Sequence, residues 1–194
     1  MSQSLPLIDI AARFPTLDID LKYATADNLT GRPIYGEARC LLHPDAAAAL
    51  EKSLQIAALA GLRLQVLDAY RPQRAQALLW NACPDPAYVV PGSLGSNHSR
   101  GTAIDVTLLD ERGEALDMGT GFDEMSELSH PFHPGIPPQA QRNRLLLNAI
   151  MYGGGFRGIA TEWWHFELPD AAGYPLLDDV FSCLTPDNAY GVKQ

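Results

Sequence analysis

Ser96-Asn97-His98-Ser99-Arg100-Gly101-Thr102-Ala103-Ile104-Asp105-Val106-Thr107-Leu108-Leu109 runs from a polar lead-in into a strand. From Thr102 onward Ile104, Val106 and Leu108 fall on one face of an extended chain and Asp105 on the other. Burying the first face in a core turns the Asp105 carboxylate toward a cleft. Gly101 can take a backbone conformation that other residues avoid, so His98, in the lead-in, can bend back toward the same cleft. Taken singly, His98 reads as a solvated loop histidine and Asp105 as a carboxylate on the exposed face of an edge strand.

Working upstream, Leu62 to Ala69 alternates with Leu62, Leu64 and Val66 on one face. This predicts a buried strand that delivers Asp68-Ala69-Tyr70-Arg71-Pro72 at its end, where functional side chains are usually presented. Asp45 to Ala60 reads as a helix, entered at Pro44 and stopped by Gly61. His43 is then a loop residue ahead of it. A second helix is expected from Gln73 to Asn81, followed by a Pro- and Gly-rich loop through Gly95. Near the start, Ile19 to Ala24 alternates like a strand and Asp27 to Pro33 is a turn-rich loop.

Downstream, Gln139 to Tyr152 predicts the last helix, closed by Gly153-Gly154-Gly155. Glycine loops that cradle phosphate precede a helix, and this one follows it, so it reads as a flexible C-terminal cap. Helices and strands alternate without a regular βαβ order. The expected fold is therefore α+β, with a largely antiparallel sheet and helices packed on one side. With no internal repeat, low-complexity tract or long linker, residues 1–194 are expected to form one domain.

Composition limits the partners. A chain of 194 residues with 46% apolar and 19% charged residues suits a soluble globular domain, and it has no apolar run near the roughly 18 residues of a membrane span. A net charge of −9 argues against nucleic acid, whose binding needs clustered Lys and Arg. The first residues, Met1 to Asp9, lack a basic start, a long apolar stretch and a cleavage site, which predicts a cytoplasmic protein. Cys40, Cys83 and Cys183 have no paired spacing and read as reduced, idle thiols. Self-association is left open.

The second chemical segment is Glu162-Trp163-Trp164-His165-Phe166. Together with His98 and Asp105 it completes a set of two imidazoles and two carboxylates. His98, Asp105 and His165 supply three protein ligands and leave an open fourth position, the arrangement of a catalytic zinc site. Glu162 remains for proton transfer as general base. The aromatic residues favour a strand, on which Glu162 and His165 would point to opposite sides. Both reach one metal only if the chain bends between them or if Glu162 lies on the turn before the strand. Arg71, at a strand end, is a candidate for stabilising a developing oxyanion; it reads equally as a surface salt-bridge partner. His130 and His133 are three apart, but Pro131 and Pro134 forbid the helix that would align them, which disfavours them as ligands.

Ser96-x-His98-x-x-Gly101-x-Ala103-x-Asp105, followed by Glu162-x-Trp164-His165, resembles the zinc D-alanyl-D-alanine dipeptidases of the VanX type. Asp20-Leu21-Lys22-Tyr23-Ala24 with Asn28, Thr30 and Gly31, then Asp68 to Pro72, then Met118-Gly119-Thr120-x-Phe122-Asp123, fall in the family's order. The metal segments alone would also fit wall carboxypeptidases and the hedgehog signalling domain; the others point to the dipeptidase branch. The resemblance implies one zinc per chain on His98, Asp105 and His165, Glu162 as base and Arg71 at the oxyanion. It also implies that Ser96 and Asp123 hold the amino end of a small dipeptide. Two other functions stay open: a D,D-carboxypeptidase for longer wall peptides, and a zinc-binding interaction domain without turnover.

Overall fold

The computed structural model describes residues 7–179; Cys183 and residues 1–6 at the start of the chain lie outside them. In chain order the elements are β1 (Ile8–Asp9), α1 (Ile10–Arg13), β2 (Asp18–Ile19), β3 (Leu41–Leu42), α2 (Pro44–Leu59), β4 (Arg63–Asp68), α3 (Gln73–Ala82), β5 (Ala103–Leu109), α4 (Pro138–Gly154), β6 (Arg157–Gly158) and β7 (His165–Glu167). The main sheet has the order β2-β4-β5-β7-β6, and every pairing except β2 with β4 is antiparallel. β1 and β3 form a separate ribbon. The fold is α+β, as the mixed element order predicts.

β5 lies at the centre of the sheet, so Asp105 is not on an edge strand. Ile104, Val106 and Leu108 enter the main core with Leu64 and Val66 of β4, and α2 and α4 cover that face with Leu50, Ala57, Leu147 and Met151. The opposite face keeps Asp105 and His165 side by side, paired directly across β5 and β7. α3 belongs elsewhere: Ala75, Leu78 and Leu79 pack with Tyr23, Ile34 and Tyr35 in a second cluster.

The register between β4 and β5 shifts between Val66 and Asp68. Simple alternation from Leu64 through Val66 would send Asp68 into the core. The bulge adds one residue, sets Asp68 opposite Asp105 and brings it to the other face. Gly101 takes φ +72, and a Cβ there would lie 2.7 Å from Leu7 Cδ2 and 3.1 Å from the His43 nitrogen. Only glycine allows the chain to turn so tightly between His98 and β5.

Two expected elements are revised. The strand read over Ile19 to Ala24 stops at Ile19, and Lys22–Ala24 is a single 3-10 turn. Local polar contacts win over alternation here. Lys22 pairs with Asp20 and Asp27, and the Asn28 side-chain amide donates to the carbonyls of Lys22, Thr25 and Arg32. The last helix runs through Gly154, and only Gly155, at φ +111, is the cap. Gly154 instead allows α4 to lie against α2, since a Cβ on it would meet Ser53 Oγ at 1.9 Å and the Ala49 carbonyl at 2.8 Å.

α4 also buries Arg144 completely, on the stripe shared by Ala140, Leu147 and Met151. Its guanidinium donates to the carbonyls of Met118 (2.7 Å), His130 (2.8 Å) and Leu128 (2.9 Å) and to Thr120 Oγ1 (3.4 Å). Thr120 Oγ1 in turn accepts from Trp163 Nε1 at 2.8 Å. One cation thus pins the irregular stretch between Met118 and His130 that carries Asp123. Among the described residues, no helix is long and apolar enough to cross a membrane.

Candidate active site

The end of β4, the turn before β5 and the start of β7 meet at one cleft of about 270 Å³. Arg71, Ser96, His98, Asp105, Asp123, Glu162 and His165, all singled out from the sequence, line it. At its floor three donor atoms converge. Asp105 Oδ1 is 3.3 Å from His98 Nε2 and 3.3 Å from His165 Nδ1, and the two nitrogens are 3.2 Å apart. Asp105 Oδ1 is buried and has no hydrogen-bond partner among the described residues. With metal–ligand distances of about 2.0–2.2 Å, the edge of a zinc tetrahedron is roughly 3.3–3.6 Å. This nearly equilateral triangle around an unsatisfied oxygen fits such an ion, and the N/N/O donor set is one that zinc accepts.

Both imidazoles are aimed by a partner on their other nitrogen. His98 Nδ1 lies 2.8 Å from the Ala69 carbonyl, which fixes the proton there and frees Nε2. His165 Nε2 lies 2.8 Å from Glu167 Oε2, leaving Nδ1 to face Asp105. In the metal-free protein, burial opposes charge on His165, but the adjacent Asp105 and Glu167 carboxylates outweigh it and push the ring up to about 10. Burial also opposes ionisation of Asp105, yet His98 and His165 hold it far below the usual carboxylate range.

Glu162 sits on the bend before β7, so the second of the two sequence alternatives holds. Its Oε2 is 4.0 Å from His165 Nδ1, outside the donor triangle but within the cleft. Burial pushes its carboxyl up to about 8 in the metal-free protein, against the pull of His165. Such a displacement into the neutral range suits a group that exchanges protons at work.

Arg71 is 7% exposed, which removes the surface salt-bridge reading. Its Nε and Nη2 grip Asp68 Oδ2 at 2.9 and 2.8 Å, its Nη1 donates to Gln76 Oε1 at 2.8 Å, and Nη2 is 3.5 Å from Asp105 Oδ2. The guanidinium also lies over the Tyr23 ring, 4.9 Å from its centroid. Tyr23 reaches Asp123 as well, its hydroxyl donating to Oδ1 at 2.9 Å while the Leu29 N–H donates to Oδ2 at 3.1 Å. Ser96 Oγ accepts from the His98 N–H at 3.2 Å.

Four residues of this site were given no role from the sequence: Asp68, Gln76, Tyr23 and Glu167. Asp68 was hidden by the bulge. Glu167 carried a readable signal, since residues two apart on a strand share a face and His165 is two residues before it. His130 and His133 do not join a metal site: the one His/Cys/Asp/Glu cluster able to hold an ion among the described residues is that of His98, Asp105 and His165. His133 instead accepts from the Gly135 N–H, and His43 caps α2 by accepting from the Asp45 N–H.

The chain is similar to known proteins. A D-alanyl-D-alanine dipeptidase of Escherichia coli (strain K12) is 68% identical over 183 residues, covering 94% of this chain and 95% of the relative. Proteins of the same name from Enterococcus faecium and Streptomyces coelicolor are 37% and 35% identical, each over 78% of this chain and 85% of the relative. The M15 peptidase family described as D-ala-D-ala dipeptidase matches residues 3–187, and with the geometry of the cleft this places the chain plainly: it belongs to the D-ala-D-ala dipeptidase family.

Proposed function

We propose that the protein is a zinc-dependent D,D-dipeptidase that hydrolyses D-alanyl-D-alanine to two molecules of D-alanine. The observation that carries this reading is the triangle of His98 Nε2, Asp105 Oδ1 and His165 Nδ1 at the floor of a cleft that also holds Glu162 and Arg71. Zinc on these three atoms supplies Lewis acidity, making water acidic near neutral pH and polarising the peptide carbonyl.

The protein's own groups do the rest. Glu162 takes a proton from the attacking water as the new C–O bond forms, and returns it to the departing amine as the C–N bond breaks. Arg71 keeps its charge at any working pH and meets the negative charge that grows on the former carbonyl oxygen. Asp68 and Gln76 occupy its other donors, so the guanidinium is held in place before substrate arrives. Asp123 and Ser96 receive the free ammonium, and acylating that amine would leave the Asp123 carboxylate without its partner.

Purified protein loaded with zinc should cleave D-Ala-D-Ala, leave L-Ala-L-Ala untouched and cleave N-acetyl-D-Ala-D-Ala very poorly. Glu162→Gln should keep zinc and lose turnover by about 10² to 10⁴. Equal cleavage of the free and acetylated dipeptides would move the assignment to a carboxypeptidase. A Glu162→Gln enzyme as active as the parent would remove Glu162 as base.

A further inference from the structure

His165 can place its ring proton on either nitrogen when neutral, and its surroundings offer an acceptor to each. Asp105 Oδ1 lies 3.3 Å from Nδ1 and Glu167 Oε2 lies 2.8 Å from Nε2. A proton on Nδ1 would block the lone pair that the donor triangle requires. The carboxylate on the far side of the ring therefore decides which nitrogen is free.

Glu167 is itself fixed. It shares a face of β7 with His165, and the residue opposite it on β5 is Ala103, as Asp105 is opposite His165. Ala103 presents only a methyl group there. The Glu167 carboxylate also accepts from Asn97 Nδ2 on the same Oε2, at 3.0 Å. Asn97 is anchored in turn, its carbonyl accepting from Arg100 N, Thr102 N and Thr102 Oγ1, each at 3.2 Å. Asn97 directly precedes His98. One carboxylate oxygen thus joins the strand that carries one imidazole to the turn that carries the other.

We propose that Glu167 is a positioning residue for the metal: it holds the His165 proton on Nε2, keeps Nδ1 open toward Asp105 and His98, and through Asn97 locks the two histidine segments together. The inference rests on His165 being a zinc ligand, as argued under the proposed function. Partners of this kind change metal affinity by about 10- to 100-fold when removed.

The test measures zinc dissociation constants by competition with a chromophoric chelator for the parent, Glu167→Ala, Glu167→Gln, Asn97→Ala and the Glu167→Ala/Asn97→Ala double variant. Thermal unfolding of each metal-free protein serves as a control. Glu167→Ala should bind zinc about 10- to 100-fold more weakly while its metal-free form unfolds near the parent's temperature. Glu167→Gln, whose amide oxygen can still accept the Nε2 proton, should recover most of that loss. Asn97→Ala should weaken binding by a smaller factor, and the double variant should be no worse than Glu167→Ala, because Asn97 acts through Glu167. Parent-level affinity in Glu167→Ala, or additive losses in the double variant, would overturn the inference. If the Glu167→Ala chain fails to fold, Glu167→Gln and Asn97→Ala decide: unequal rescue and loss support the role, and three equal affinities refute it. A parent that binds no zinc would instead bring down the proposed function itself.

Discussion

At the scale of single residues the site divides labour between atoms of one side chain. Asp105 turns Oδ1 to the two imidazoles and leaves Oδ2 near Arg71, so one buried carboxylate faces both the proposed metal position and the proposed oxyanion group. Asp123 is a different case. Burial raises its carboxyl to about 7, although the Leu29 N–H and the Tyr23 hydroxyl favour the ionised form. In the unfolded chain it ionises near about 3.9. Between these values the folded protein keeps a proton that the unfolded chain has released, so stability from this group falls as pH rises from about 4 to about 7 and then levels off. Asp123→Asn stays neutral and can still meet both partners. In metal-free protein its melting temperature should gain on the parent's across that window, and a pH-independent difference would contradict the assignment. The proposed ligands were legible because His and Asp on a loop-to-strand corner are few and chemically specific. Asp68 and Gln76 were not, because their roles depend on a bulge and on a contact with Arg71 that no local pattern encodes.

At the scale of elements, β5 and α2 were readable from periodicity and punctuation, since alternation, Pro44 and Gly61 act over short distances. The 3-10 turn at Lys22 was not, because it depends on side chains from Asp20 to Arg32 acting together. The Gly153-Gly154-Gly155 run was read as one cap although only its last member caps. The reason lies in another helix: Gly154 meets the backbone of Ala49 in α2, a tertiary fact. Gly154→Ala would drive a methyl group into that contact, and because one of the obstructing atoms is backbone, the helices must separate. The expected loss is about 1–3 kcal/mol, or several degrees in melting temperature for a chain of this size. Differential scanning calorimetry checks it, and an unchanged melting temperature would mean that α2 and α4 have room to spare. Arg144 was legible in principle. It falls on the same helical stripe as Ala140, Leu147 and Met151, and a charge on an inward stripe announces a buried network.

At the scale of the molecule, the sheet presents its apolar face to α2 and α4 and its other face to the cleft, so the core that stabilises the fold also sets the distance between the segments that carry chemistry. Removing zinc should be felt globally. A ligand bound only by the folded state stabilises it by about 4 kcal/mol at a free concentration 1,000 times its Kd. Stripping the protein with a chelator should lower the melting temperature by roughly 8–16 °C at that loading, and adding zinc back should restore it; an unchanged transition would show that the donor triangle holds no stabilising ion. Arg144 has a consequence in time. Its acceptors are spread from Met118 to His130, a stretch with no strand ladder of its own, and all of them answer to one side chain rooted in α4. Such a segment cannot fray from one end as surface loops do. Its carbonyls can be released only when Arg144 lets go, so the stretch that carries Asp123 has the outline of a loop but is expected to open together with α4 in one cooperative step, which its hydrogen exchange should follow.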